Sequence, residues 1–211
     1  MKIKAIIFDL DMCILDTHSL TGDFFQPVLD ALYGSRLTDD LKKKIHDQLW
    51  TSSVDDTIKI FDIPLDIGES MREAYRHVDV PDGIYTYGDE AVIRGLAVKK
   101  FLVTSGYQKF QSSKIAKLGI ADLFDEVIID ASDWPEQRKG KNKILQEIMA
   151  AGGWSPAEVM VVGDNPLSEL GAGKSLGMVT VQTLRPAVTK WPEADYHVTS
   201  LHELSAIIYK S

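Results

Sequence analysis

The chain has 211 residues, of which 45% are hydrophobic and 26% are charged. This composition is typical of a folded globular domain and excludes wholesale disorder or a fibrous repeat. The formal net charge of −8 disfavours nucleic acid as a partner, because its recognition depends largely on basic side chains. The single cysteine, Cys13, cannot form an internal disulfide or a zinc cluster, so we expect a reducing, cytoplasmic location.

The amino-terminal part of the chain predicts one strand followed by helices. Residues 4–8 form a short apolar run that is typical of a buried strand, and they are too few for a signal peptide. Residues 17–88 contain no convincing strand, and their apolar residues recur three or four positions apart, as on a helix face. Helices are predicted there at 38–50, 54–61 and 68–77. No run of about 20 apolar residues occurs, so no membrane helix is predicted.

The remainder of the chain alternates strands and helices. The predicted strands are 100–104, 126–129, 159–163 and 178–183, with a weaker one at 196–198. The predicted helices are 89–96, 107–118, 142–151, 167–176 and 201–209. Because the strand runs lack period-2 alternation, both faces of their sheet are expected to be covered by helices, which favours a parallel sheet. The sequence predicts an α/β fold with an α/β/α core from 1–16 and 89–211, and a helical insertion at 17–88.

Polar side chains follow three of the predicted strands at the point where each strand ends. Asp9 and Asp11 follow the first strand, Thr104 ends the second, and Asp164 follows the fourth. In an open α/β sheet, ligands bind at the carboxyl ends of the strands. Phosphoryl transfer needs a nucleophile, a divalent cation and donors that neutralise the phosphate, and this set supplies them. Mg²⁺ prefers oxygen ligands, which Asp9 and Asp164 could share.

At these residues, from 3 to about 183, the chain resembles the haloacid dehalogenase (HAD) superfamily, whose four motifs match Asp9-Leu10-Asp11, Thr104, a lysine and Gly163-Asp164. The resemblance implies a Rossmann-like core with a helical cap inserted between the first and second motifs. It implies that Asp9 is the nucleophile and Asp11 the general acid and base. It also implies that Thr104, Leu10, Ser105 and Gly106 contact the phosphate, and that Asp9, Asp164 and the backbone carbonyl of Asp11 hold Mg²⁺.

Two lysines are candidates for the lysine of the third motif. Lys139 has the family's usual spacing to Ile144 and to Asp164, so we predict that Lys139 rather than Lys141 is the catalytic one. Lys141 is then expected to be a solvated cation at the start of a helix. Glu169, five residues after Asp164, is expected either to order a metal-bound water or to pair with the lysine, or to serve only as a first-turn helix acid.

The leading functional hypothesis is a Mg²⁺-dependent phosphatase of a small phosphorylated metabolite, such as a nucleotide, a sugar phosphate or a phosphoglycolate-like ester. Asp11 favours phosphoryl chemistry, because the haloacid dehalogenases proper lack an acid two residues after the nucleophile. A phosphomutase resembling β-phosphoglucomutase is the alternative enzyme. A phosphoacceptor signalling domain is a remote non-enzymatic alternative, since receiver modules also combine acids, a hydroxyl and a lysine on a parallel sheet.

Overall fold

The computed structural model describes residues 2–50 and 52–209. In this part of the chain the strands are Ala5–Phe8 (β1), Lys99–Gly106 (β2), Glu126–Ala131 (β3), Val159–Gly163 (β4), Val179–Thr183 (β5) and Tyr196–Val198 (β6). The α-helices are Gln26–Tyr33 (α1), Asp39–Leu49 (α2), Val54–Ile60 (α3), Leu65–Arg76 (α4), Gln108–Leu118 (α5), Lys141–Gly152 (α6), Glu169–Ser175 (α7) and Leu204–Ile208 (α8). Short 3₁₀ helices occupy Thr17–Ser19, Glu90–Gly95, Ala121–Leu123, Pro156–Glu158 and Leu201–Glu203.

All six predicted strands are confirmed in position, whereas two predicted helices differ in type. The segment predicted as a helix at 89–96 is a 3₁₀ helix at Glu90–Gly95, and it ends where Leu96 takes up an extended conformation before β2. The segment predicted at 201–209 starts as a 3₁₀ turn and continues as α8. Helix α1 is missing from the predicted set, although Pro27 in its first turn is a helix-start signal. Among the described residues, no helix has both the length and the apolar character needed to cross a bilayer.

The six strands form one parallel sheet in the order β3-β2-β1-β4-β5-β6. The chain runs outward from β1 through β2 to β3 on one side, and then returns to build β4 to β6 on the other side. The order therefore reverses between β1 and β4, where Phe8 lies opposite Val162. In such sheets the crevice at this switch point is the usual ligand site.

Alternate residues of the central strands enter two separate hydrophobic clusters, one on each face of the sheet. Ile6, Phe8 and Val162 belong to one cluster, and Ile7 and Val161 belong to the other. Burial on both faces explains why these strands read as continuous apolar runs in the sequence. The predicted α/β fold, with a parallel sheet between layers of helices, is confirmed.

Helices α1 to α4, which we call the helical insertion, have a hydrophobic cluster of their own. Leu32, Ile45 and Met71 are fully or almost fully buried within it. A smaller cluster joins the insertion to α5 through Val80 and Phe110, with partly buried neighbours on both sides. The insertion is thus packed internally and also contacts the carboxyl end of the sheet.

A buried ion pair connects the end of the insertion to the loop after β1. The guanidinium of Arg185 donates to both carboxylate oxygens of Asp89 at 2.9 Å, and also to the carbonyl oxygen of Cys13 at 2.8 and 3.1 Å. It stacks on the ring of Tyr87, 4.2 Å from the centroid. Burial alone would raise the pKa of Asp89, but hydrogen bonds, first from Arg185, lower it below its ordinary value. Arg185 therefore fixes the backbone two residues beyond Asp11.

We predict that Arg185→Met destabilises the protein by about 3–5 kcal/mol, because it leaves the buried carboxylate of Asp89 without its partner. Urea unfolding followed by circular dichroism measures this change. Arg94→Met is the matched control, since Arg94 and its partner Asp122 are exposed, and it should leave the unfolding midpoint unchanged. Equal midpoints for the two variants would contradict the structural role of Arg185.

Candidate active site

Three carboxylates converge at the switch point of the sheet. Asp9 follows β1, and its N–H donates to the carbonyl of Val162 in β4 at 2.9 Å, so it continues the strand pairing. Asp164 follows β4, and Glu169 is the first residue of α7. One carboxylate oxygen from each of Asp9, Asp164 and Glu169 lies within 4.8 Å of the other two. Two groups separated by about 150 residues in the sequence thus share one end of the sheet, as predicted.

The approach of Glu169 to this cluster depends on Gly163. A Cβ atom at position 163 would lie only 2.3 Å from Oε1 of Glu169, so no larger residue fits without a shift. The same Oε1 accepts a hydrogen bond of 2.8 Å from the backbone N–H of Asn165, which fixes the side chain over the turn after β4. Glu169 is 3% exposed. Glu169 is an acid of the first turn of α7, as one alternative expected, but not only that, because it is buried and pairs with Lys141; its part in ordering a metal-bound water stays a prediction.

Lys141 lies between two of the carboxylates. Its ammonium donates to Oδ1 of Asp9 at 2.6 Å and to Oε2 of Glu169 at 2.7 Å, with 9% of its side chain exposed. Burial alone would lower the pKa of Lys141, but the charges of Asp9 and Glu169 raise it above its ordinary value. Lys141 is therefore a fixed positive charge beside Asp9.

The structure places Lys141, and not the predicted Lys139, in contact with Asp9. The ammonium of Lys139 lies 2.7 Å from Oε2 of Glu147, its side chain is 55% exposed, and it lines a separate cavity beside β3. The cause is the position where α6 begins. Oδ1 of the buried Asp130 accepts from the backbone N–H groups of Lys139 and Gly140 at 3.0 and 3.2 Å. This contact holds Lys139 outside the helix, so that Lys141 is the first helical residue and reaches Asp9.

With all three carboxylates ionised, the cluster would carry an excess of negative charge over the single ammonium of Lys141. Burial and the neighbouring charge of Glu169 raise the pKa of Asp164 to about 7. Burial likewise raises the pKa of Asp9 above its ordinary value, with Lys141 opposing the rise and Glu169 adding to it. A single ammonium does not neutralise three carboxylates, and a hard divalent cation with oxygen ligands would complete the balance. The donor set therefore fits Mg²⁺.

Asp11 lies in a different environment from Asp9, although only Leu10 separates them. Its Oδ1 accepts from the ammonium of Lys114 at 2.8 Å and from the hydroxyl of Thr17 at 3.3 Å, and its Oδ2 accepts from Nε2 of Gln111 at 3.0 Å. Burial alone would raise the pKa of Asp11, but the charge of Lys114 and the hydrogen bonds from Lys114, Gln111 and Thr17 together lower it below its ordinary value. The two aspartates of the first motif are thus held by different lysines.

The other predicted phosphate contacts lie around these groups. Thr104 is 1% exposed, and its hydroxyl accepts a hydrogen bond of 2.7 Å from Gln111. Leu10 is fully buried, and its carbonyl accepts from the N–H groups of the following turn. Ser105 and Gly106 line the cavity that reaches Asp11. Their contacts with a phosphate stay predictions.

Gln111 and Lys114 are the site residues that sequence reasoning missed. Both are on α5, and Nε2 of Gln111 contacts Thr104, Asp11 and the carbonyl of Ser105 within 3.0 Å. Lys114 follows the buried Phe110 by four positions, so the two share one face of the helix. The sequence offered one signal for Lys114. It lies on the same helix face as a buried aromatic residue, and that helix follows Thr104.

A cavity of about 600 Å³ lies between the helical insertion and the carboxyl end of the sheet. The sheet side contributes Asp11, Ser105 and Gly106, and the insertion contributes residues that include Trp50 and Asp55. The volume is in the range of small-molecule sites. The arrangement can hold a phosphorylated ligand with its remaining part beneath the insertion.

Comparison with known proteins gives concordant results. Residues 6–183 match the family model described as haloacid dehalogenase-like hydrolase. A glyceraldehyde 3-phosphate phosphatase of Methanocaldococcus jannaschii is 24% identical over 98% of this chain and 97% of its own length. One from Pyrococcus abyssi is 34% identical over 42% of this chain and 37% of its own length. The crystal structure of a HAD phosphatase from Thermococcus onnurineus is 28% identical, with a TM-score of 0.67 and coverage of 98% of both chains.

The family match covers most of the described chain, and its motif residues meet at one end of a parallel sheet. Both observations agree with the resemblance to the haloacid dehalogenase superfamily that the sequence motifs indicated. This chain is a member of the haloacid dehalogenase-like hydrolase family.

Proposed function

We propose that this protein is a Mg²⁺-dependent phosphatase that hydrolyses a small phosphomonoester through an aspartyl-phosphate. The observation that carries the proposal is the separation of roles between two neighbouring carboxylates. Asp9 lies in the acidic cluster that fits a metal, whereas Asp11 lies on the wall of the cavity. Membership of a hydrolase family, and the phosphatase activity named for the Methanocaldococcus and Pyrococcus relatives, support an enzyme acting on phosphoester bonds.

The reaction proceeds in two steps on this chain's own residues. In the first, a carboxylate oxygen of Asp9 bonds to phosphorus, the bond from phosphorus to the leaving oxygen breaks, and Asp11 gives that oxygen a proton. In the second, Asp11 removes a proton from a water molecule that attacks phosphorus, and the bond to Asp9 breaks to release inorganic phosphate. Two lower barriers replace the single very high barrier of uncatalysed monoester hydrolysis.

The charges around Asp9 suit this role. Lys141, 2.6 Å from Asp9, offsets negative charge as the phosphate approaches. Asp9 and Asp164 would hold Mg²⁺ together with the backbone carbonyl of Asp11, as the family resemblance implies, with Glu169 beside them. The bound ion would neutralise non-bridging phosphate oxygens and thereby stabilise the charge that develops on them.

The contacts of Asp11 set a condition on the first step. Lys114 and Gln111 hold Asp11 in its ionised form, which is the form that accepts a proton from water. To donate a proton, Asp11 must first gain one, so its contact with Lys114 has to loosen when the ester binds. We propose that residues 17–88, which include the helical insertion, form a cap. Closure of this cap over the ester would exclude water from the site.

We predict that Asp9→Asn lowers the hydrolysis rate of p-nitrophenyl phosphate by about 10³-fold or more, because the amide cannot form the aspartyl-phosphate. Phosphate release in the presence of Mg²⁺ measures this change, and EDTA should abolish the activity of the unaltered protein. Asp122→Asn, at an exposed carboxylate paired with Arg94, is the control and should retain full activity. Substantial turnover by the Asp9 variant would rule out the nucleophile.

We predict that Lys141→Met lowers kcat by about 10²-fold or more, because it removes the positive charge beside Asp9. Lys139→Met should leave kcat and KM unchanged, since Lys139 contacts Glu147 on the surface. Steady-state kinetics of the two variants, purified in parallel, makes the comparison. Loss of activity in the Lys139 variant, with the Lys141 variant still active, would show that Lys139 is the catalytic lysine.

We predict that Mg²⁺ raises the melting temperature by about 5 °C at saturating concentrations, because binding to the folded state alone stabilises it. Asp164→Asn should abolish most of this shift. In the absence of metal the same variant should melt above the unaltered protein, because it relieves repulsion among Asp9, Asp164 and Glu169. Differential scanning calorimetry measures both effects, with Asp122→Asn as control. An undiminished Mg²⁺ shift in the Asp164 variant would place the metal elsewhere.

A further inference from the structure

We propose that the cavity selects phosphomonoesters whose leaving group is an uncharged alcohol that carries a flat unsaturated ring. This inference rests on the proposed phosphatase function and narrows its substrate class. Aryl alcohols and nucleosides share this chemistry. The proposed class excludes esters whose leaving group carries a carboxylate or a second phosphate. It also excludes three-carbon esters without a ring.

Aromatic side chains form much of the cavity wall. Phe24 stacks on Phe110 with ring centroids 5.5 Å apart, which joins the insertion to α5. Tyr75 continues this surface, with its ring centroid 5.4 Å from Phe110 and 4.5 Å from Tyr107. All four residues line the cavity. Tyr107 and Phe110 are only 4% and 5% exposed, so the half-buried rings of Phe24 and Tyr75 offer the apolar surface that a flat ligand can contact.

Trp50 provides a surface that the protein itself only partly covers. The indole lies edge-on to Phe24 and Phe25, at centroid distances of 5.8 and 5.4 Å, and remains 50% exposed at the cavity wall. Burying an exposed aromatic surface against a ring of the ligand is favourable, both from the apolar area removed from water and from the stacking geometry. A leaving group without a ring gains little of this stabilisation.

The charged residues of the cavity wall already balance one another. Among the described residues that line it, three are basic and three are acidic: Lys59, Lys114 and Arg138, and Asp11, Asp55 and Asp56. Each basic group has a carboxylate partner, at 3.8 Å for Lys59 and Asp56, 2.8 Å for Lys114 and Asp11, and 3.2 Å for Arg138 and Asp130. Asp55 pairs in turn with Arg72 at 2.7 Å. A second anion on the substrate would face three carboxylates, together with basic groups that each already have a carboxylate partner.

The size of the cavity agrees with this assignment. A volume of about 600 Å³ accommodates a ring-bearing alcohol together with its phosphate. A three-carbon leaving group would fill only a small part of it and would leave the aromatic wall in contact with water. The aromatic surface, the charge balance and the volume therefore point to the same leaving group.

The test compares esters that break the same kind of bond, a phosphate on a primary alcohol. The panel consists of benzyl phosphate, 4-carboxybenzyl phosphate, uridine 5′-monophosphate and glyceraldehyde 3-phosphate, each with Mg²⁺. We expect kcat/KM for benzyl phosphate to exceed that for 4-carboxybenzyl phosphate and for glyceraldehyde 3-phosphate by about tenfold or more. Comparison of kcat/KM for benzyl phosphate and uridine 5′-monophosphate shows whether an aryl alcohol or a nucleoside is the better leaving group.

A matched pair of tryptophan variants connects this preference to the cavity. Trp50→Ala should raise KM for benzyl phosphate about tenfold, with a smaller change for glyceraldehyde 3-phosphate. Trp134→Ala should change neither value, because Trp134 is 46% exposed, like Trp50, but lies outside this cavity. A similar effect of both variants on both substrates would show that Trp50 has only a structural role and would overturn the inference.

The failure of the inference and the failure of the proposed function give different results. Equal or better hydrolysis of glyceraldehyde 3-phosphate or of the carboxybenzyl ester overturns the ring preference and leaves the phosphatase function intact. Absence of phosphate release from every ester overturns the phosphatase function. In that case the binding of benzylphosphonate, which cannot be hydrolysed at its carbon–phosphorus bond, is compared with that of methylphosphonate. Equal affinities for the two would overturn the ring preference as well.

Discussion

The site depends on one buried contact, the ammonium of Lys141 between the carboxylates of Asp9 and Glu169. Charges removed from water are costly unless they are paired and hydrogen-bonded, so a buried acidic cluster at this position needs a cation. Lys141 provides part of the compensation, and ionisation of all three carboxylates would leave an excess of negative charge. The same three carboxylates therefore suit a divalent cation, and burial, followed by the charge of Glu169, raises the pKa of Asp164.

The two aspartates of the first motif differ because the loop after β1 places them in different environments. Asp9 continues the strand and faces β4, whereas the carboxylate of Asp11 is turned toward α5 and accepts from Lys114 and Gln111. Met12, directly after Asp11, has a left-handed conformation, with φ of 53°. Its N–H donates to the hydroxyl of Thr17, which in turn donates to Asp11. Local backbone geometry thus gives two chemically identical groups distinct environments.

The remaining supports of this loop come from distant parts of the chain. Arg185, just after β5, donates twice to the carbonyl of Cys13 and at the same time pairs with Asp89 at the end of the insertion. The two segments that connect the insertion to the sheet also bond to each other, from Asp16 to Tyr85 and from Tyr87 to Ile14. These contacts therefore join the segments that connect the insertion to the sheet with the loop that carries the first motif.

The sequence alone determined the α/β fold, the positions of the strands and the placement of Asp9, Asp11, Thr104 and Asp164 at one end of the sheet. These features follow from local patterns, because an apolar run indicates a buried strand and parallel strands end at the same edge. Only the tertiary structure decided that Lys141 rather than Lys139 reaches Asp9, and that Gln111, Lys114 and Arg185 hold the first-motif loop. The start of α6 is set by Asp130, and the contacts of Arg185 and Lys114 join residues about 100 or more positions apart. No local pattern records such contacts, since they exist only once the strands and helices have packed together.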